Sequence, residues 1–163
     1  MSIANVNNQL ERGGVGMGIR KVAQWVSYGD FTDGGSTDGT LNLTDTIPAG
    51  SFVLGTKVKV TTGFTGDTTC VLDIGNSSDA DAYSYTTHNI YTAADNLVEG
   101  ADSSSGGTTG TGLAPIASAT TVKLTATGAS DWGNVSAGTM LVEVYYLSTN
   151  VEGQDNYPNR YLH

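Results

Sequence analysis

The sequence predicts an all-β protein: a single antiparallel β-sandwich, jelly-roll-like, with an extended N-terminal arm and a C-terminal tail. Three observations lead there. Apolar and polar residues alternate with period two in several short segments. The clearest is Lys57-Val58-Lys59-Val60-Thr61, where Val58 and Val60 face a core and both lysines face water. Turn-forming residues, 22 glycines among them, punctuate those segments. No segment carries a long 3.6-residue apolar period, so about eight short strands are left to build the core.

Residues 1–18 read as the arm. Ile3, Val6 and Leu10 fall near helical spacing behind Ser2 as a candidate cap, enough for a turn or two over 2–11. Gly13-Gly14-Val15-Gly16-Met17-Gly18 cannot hold regular structure cheaply, because glycine loses the most backbone entropy on ordering. Such an arm either moves in solvent or is ordered by a neighbour. The β-domain is expected over 19–148. Ile19–Tyr28 resumes strand character, with Trp25 read as a core residue. Asp33-Gly34 and Asp38-Gly39 mark a loop, Thr40–Leu43 is a short alternating strand, and Pro48-Ala49-Gly50 is a turn. Ser51–Thr62 and Thr68–Ile74 read as two strands joined by a turn at Gly63 and Gly66-Asp67.

Asn76–Asp81 is a polar loop. Ala82–Thr92 (AYSYTTHNIYT) reads as a strand with exposed tyrosines and His88 as a surface histidine. Ala93–Val98 allows one or two helical turns. Glu99–Gly112 has too few apolar groups to pack and reads as a surface loop. Thr121–Thr127 places Val122, Leu124 and Ala126 on one strand face. Asp131–Asn134 is a turn. In Thr139–Leu147, Met140, Val142, Val144 and Tyr146 share one face while Leu141, Tyr145 and Leu147 share the other. A strand apolar on both faces belongs between two layers or at an interface. Residues 149–163 form a polar tail.

Composition narrows the function classes. With 163 residues the chain fits one domain. Charged residues are 14%, against roughly 25% in typical soluble domains. A Ser/Thr-rich surface accounts for that, and so does a surface largely covered by copies or partners. Seven cations against sixteen anions, net −9, argue against a phosphate-backbone binder, so no nucleic-acid partner is expected. The charge is uneven: residues 1–24 hold Arg12, Arg20 and Lys21 against Glu11, a net of +2, leaving −11 on the remainder. A mildly basic arm on an acidic body can dock onto an acidic neighbour. No apolar run reaches 18 residues and the N-terminus lacks an apolar signal core, so neither a membrane span nor a secretory leader is expected. Cys70 is the single cysteine; at an alternating position with Leu72 and Ile74 it reads as a buried, inert thiol.

Few residues could carry chemistry. A hydrolytic triad needs a base, and only His88 and His163 are available. There is no G-x-S-x-G elbow, and Gly13–Gly18 matches neither a dinucleotide nor a P-loop spacing. No catalytic residue and no cofactor are expected. Asp79 and Asp81, with Asp73 and Asn76 nearby, are the best metal candidates, since Ca²⁺ takes six to eight oxygen ligands. The run lacks EF-hand spacing, and a solvated acidic turn explains it as well. Trp132, between Asp131 and Gly133, is a candidate exposed contact for a glycan or a protein interface; a turn tryptophan folded back over the core is the alternative.

The run Asp38–Tyr83, with IPAG at 47–50, VLGTKVKVTTGFTGDT at 53–68 and VLDIGNSSDADAY at 71–83, resembles small virion structural proteins of tailed bacteriophages. TTVKLTATG (120–128) and AGTMLVEVYYL (137–147) fit the closing part of the same pattern. The resemblance covers roughly residues 22–148. It implies a capsid decoration (cement) protein, made in the host cytoplasm and located on the outer capsid surface of the virion. Such a protein fastens to the major capsid protein at seams between capsomers and assembles as a homo-oligomer, a trimer in preference to a dimer. A glycine-rich arm carrying Arg12, Gly14, Gly16, Arg20 and Lys21 could lie along a shell groove by strand addition. The alternative is a tail or head fibre component that binds host glycans through loop aromatics and the Asp73–Asp81 region. A third is a carbohydrate-binding module, and an enzyme comes last.

Overall fold

The computed structural model describes residues 18–84, 86–100 and 114–148. The arm up to residue 17, including its candidate helix and Arg12, Gly14 and Gly16, lies outside the described residues, as do most of loop 99–112 and the tail 149–163.

Among the described residues nine strands form two sheets, antiparallel throughout. The first sheet holds β1 (Gly18–Ser27), β4 (Phe52–Thr65), β7 (Ala94–Gly100) and β9 (Ala137–Ser148), in the order β1-β9-β4-β7. The second holds β2 (Thr32–Asp33), β3 (Asp38–Ile47), β5 (Cys70–Gly75), β6 (His88–Asn89) and β8 (Thr120–Gly128), in the order β2-β3-β8-β5-β6. The chain crosses between sheets six times, and sequence neighbours pair only at β2–β3 and β5–β6. The fold is the expected all-β sandwich.

The core follows the two-residue period of the strands. Val22 and Val26 on β1, Val58, Val60 and Phe64 on β4, and Met140, Val142 and Val144 on β9 are buried from one sheet. Leu43 and Ile47, Leu72 and Ile74, and Val122, Leu124 and Ala126 meet them from the other. Cys70 is fully buried, as expected, and desolvation with the nearby Asp67 carboxylate pushes its thiol up to about 12.

An aromatic cluster closes one end of the sandwich. Phe31 stands edge-on to Phe64 at 6.1 Å between centroids and lies 5.0 Å from Trp132. Two glycines make room for it. A Cβ on Gly39 would enter the Trp132 indole, 2.6 Å from Nε1. One on Gly138, which also has φ +146°, would enter the Phe64 ring.

Several expectations are corrected. Strands β4 and β5 are not a hairpin: β4 pairs with β9 and β7, while β5 pairs with β8 and β6 in the opposite sheet. The turn at Gly66, φ +117°, carries the chain across the sandwich rather than back along a ladder. The helical turns expected at Ala93–Val98 are instead strand β7, because pairing along β4 with Leu97 packed on the core outweighs a weak local preference. Of the strand expected over 82–92, only His88–Asn89 pairs among the described residues. Tyr83 is buried, and its amide bonds the Ile74 carbonyl at 2.9 Å, folding that loop over β5.

His88 is buried rather than on the surface. Its Nε2 lies 3.3 Å from Thr56 Oγ1, a polar link between the two sheets. Burial holds the imidazole below its ordinary pKa, opposed by Glu99.

Candidate interaction surface

Strand β9 sits in the middle of the four-stranded sheet and is apolar on both faces. One face meets the core. The other, carrying Leu141, Tyr145 and Leu147, has no further layer over it among the described residues. Ladder register defines what shares this outer face, because directly opposed residues point the same way. Ile19 lies opposite Leu147, which lies opposite Phe52. Lys21 lies opposite Tyr145. Ala23 lies opposite Glu143, then Lys57, then Val98. Trp25 lies opposite Leu141, then Lys59.

The result is a sheet face with large apolar groups in water. Ile19 is 70% exposed, Val98 65% and Trp25 57%. Trp25 is therefore not a core residue. It has the parity of Ile19, Lys21 and Ala23, whereas Val22 and Val26 have the inward parity. By the same rule Trp132 is not an exposed contact: it is only 4% exposed, under the aromatic end of the core.

An ionic network occupies the centre of the face. Lys21 Nζ pairs with Glu143 Oε1, and Tyr145 OH donates to Glu143 Oε2 at 3.0 Å. Lys21 Nζ also stands 6.0 Å from the Tyr145 ring centroid. Glu143 is 7% exposed although it points away from the core, because these neighbours cover it. The Lys21 hydrogen bond, with help from Tyr145 and Lys57, holds the Glu143 carboxyl below the usual range. The same contact raises Lys21, and the hydrogen bond to Glu143 raises Tyr145. Lys57 and Lys59 share this face with the Lys21–Glu143 pair.

Of the residues expected on a capsid-binding arm, Arg20 and Lys21 belong to β1, laddered to Tyr146 and Tyr145. Lys21 is on the outer face. Arg20 is exposed on the alternate side of the same edge strand.

The acidic region stands apart from this surface. Burial, Asp81 and Asp38 raise the Asp73 carboxyl on β5. Asn76 Oδ1 accepts the amides of Ser78 and Asp79 at 2.8 and 3.0 Å, so Asp79 closes a local turn. Among the described residues no three of His, Cys, Asp and Glu converge as metal ligands would.

What the sequence did not reveal is the outer face as a unit. Its residues come from four segments, and the signal for it was the double-sided apolar pattern of β9.

No protein-family model and no curated protein matches the chain. A chain in a solved structure, the cyanophage Pam1 capsid asymmetric unit, has a similar fold. The TM-score is 0.57 with 18% identity, over 83% of this chain and 88% of that one. Likeness at this identity establishes the fold.

Proposed function

We propose that this chain is a non-enzymatic structural protein of a phage virion, a decoration protein that binds the major capsid protein at seams between capsomers and stabilises the shell. The observation that carries this reading is the fold likeness to a chain of a cyanophage capsid. It is supported by an exposed sheet face that holds Ile19, Trp25 and Val98 in water, a surface suited to binding rather than to chemistry. The protein acts on the outer capsid surface as a homo-oligomer, a trimer in preference to a dimer, after synthesis in the host cytoplasm. Many identical sites on a shell turn a modest single contact into durable attachment when an oligomer engages several at once. The fibre alternative loses Trp132 as its glycan contact, since that side chain is in the core.

The test is co-sedimentation of the purified full-length protein with shells of the same phage that lack it. Saturable binding, with a stoichiometry set by the shell lattice, is expected. Absence of binding across micromolar concentrations would overturn the assignment.

A further inference from the structure

We infer that the β1 and β7 edges of the four-stranded sheet are the two halves of one interface, and that their occupant is a second copy of this chain. Strand β1 of one copy pairs antiparallel with β7 of the next, and the ring closes at three. The inference rests on the homo-oligomer proposed above and names the surfaces that build it.

The sheet has two long open edges. Strand β1 pairs with β9 at all ten positions without a register shift, and among the described residues no strand pairs its other side. Strand β7 has only β4 beside it among the described residues. The edge strands of the other sheet, β2 and β6, are two residues each. A long unbroken edge leaves alternate N–H and C=O groups as a template for another strand. No proline or bulge blunts β1.

The two edges fit each other in direction, face and phase. Four strands that alternate in direction leave β1 and β7 antiparallel, so β7 of a second copy meets β1 in the sense the sheet already uses. The row Val22, Val144, Thr56, Glu99 crosses the sheet between the register shifts of β4. Backbone groups along such a row alternate the side they point to. Val22 and Glu99 therefore either both turn theirs to the open edges or both turn them inward. Setting Arg20 opposite Glu99 of the next copy also sets Val22 opposite Leu97 and Ile19 opposite Gly100. Opposite charges then meet, and Val22 and Leu97, both packed on their own cores, continue one apolar row. Glu99 also accepts the Thr86 amide at 2.8 Å, and a carboxylate has lone pairs for further donors.

Exposure selects the second copy. The large apolar side chains that the strands leave in water are Ile19 and Trp25 on β1 and Val98 on β7, at opposite edges of one face. Pairing β1 with β7 brings the two groups together, with Val98 diagonal to Ile19. A two-fold β1–β1 pairing leaves Val98 in water. A foreign strand, or residues 1–17 entering at Gly18, covers one edge and does not account for two matched ones. A head-to-tail contact of this kind closes into a ring or runs on as a filament, and the trimer is the closed form.

The experiment joins the two edges covalently, with Ile19→Cys and Gly100→Cys combined in the full-length protein. Directly opposed residues of antiparallel strands have Cα atoms about 4.5–5.5 Å apart, within disulfide reach. Ile19 is exposed, and a Cβ on Gly100 meets nothing within 4 Å. Within one copy the two positions lie at opposite edges of the sheet, so only a neighbour can close the bond. Cys70 is fully buried and stays out of the exchange. Mild oxidation should convert the double variant to a covalent species of three times the chain mass. Each single variant should give no crosslink, and a mixture of the two singles a covalent dimer only. In sedimentation the wild type should run as a trimer at micromolar concentrations. Arg20→Glu and Val98→Lys should each raise the concentration of half-dissociation about ten-fold or more, and Lys123→Glu on the opposite sheet should not. Thermal melts check that each variant is folded.

A wild-type trimer whose double variant stays uncrosslinked, or whose Ile19→Cys variant crosslinks to itself, overturns the inference and leaves the trimer reading standing. A covalent ladder that runs past three overturns the closed ring. A monomeric wild type removes both the inference and the trimer. Shell binding, read by co-sedimentation, tests the decoration reading separately.

Discussion

Replacing Trp132 by alanine tests the most consequential reassignment of a side chain in this fold. The indole is 4% exposed and in ring contact with Phe31, which in turn meets Phe64. A buried tryptophan removes about 150–250 Å² from water, worth about 4–6 kcal/mol at 25 cal/mol per Å² as an upper figure. Measured Phe or Trp to Ala losses in cores run about 3–5 kcal/mol. A loss of about 4 kcal/mol is therefore expected. Over a domain of about 130 residues, with about 2.1 cal/mol/K per residue, that lowers Tm by roughly 15 °C. Urea unfolding and scanning calorimetry of the two proteins measure it, and the urea m-value should stay constant. A Tm within about 2 °C of wild type would refute the core placement and return Trp132 to the surface as a ligand contact.

Three other outcomes follow from the same structure. Gly39→Ala should destabilise by about 1–3 kcal/mol or more, because its Cβ overlaps the Trp132 ring; paired with Trp132→Ala the two losses should be far less than additive in urea titrations. Acid should weaken the fold between pH 7 and 5.5, and His88→Gln should flatten that dependence. The buried imidazole has a lowered pKa, so the unfolded chain protonates first; the stability is complete above the ordinary value of about 6.5 and is lost as pH falls through it, at no more than about 1.4 kcal/mol per unit. Equal slopes for both proteins would count against it. Cys70 should resist a thiol reagent at pH 8 until the protein is unfolded, since the fully buried thiol is pushed up to about 12; fast labelling of the native protein would contradict its burial.

Much of the strand content was legible because period two is a direct consequence of the pleat. Val122, Leu124 and Ala126 alternate without exception and are all fully buried. The outward placement of Trp25 is equally legible, since it is out of phase with Val22 and Val26. Connectivity was not legible. Gly63 to Asp67 has the residues of a hairpin turn, yet Thr61 bonds the carbonyl of Thr139, 78 residues away. Such a pairing is set by which faces bury together, and no local signal encodes it. His88 escaped for a similar reason: polar neighbours in sequence said nothing of Thr56, which arrives from the opposite sheet. Arg20 and Lys21 lie in the strand expected from Ile19 onward, and its pairing with β9, which no local signal encodes, gives the outer face its shape.

The decoration assignment is tested most directly by the copy number of this protein relative to the major capsid protein, from quantitative mass spectrometry of purified virions. The account predicts a ratio of the same order as the shell subunits, since a repeating lattice site holds that many copies. A handful of copies per particle, or none, would contradict it and move the protein to the tail or out of the virion.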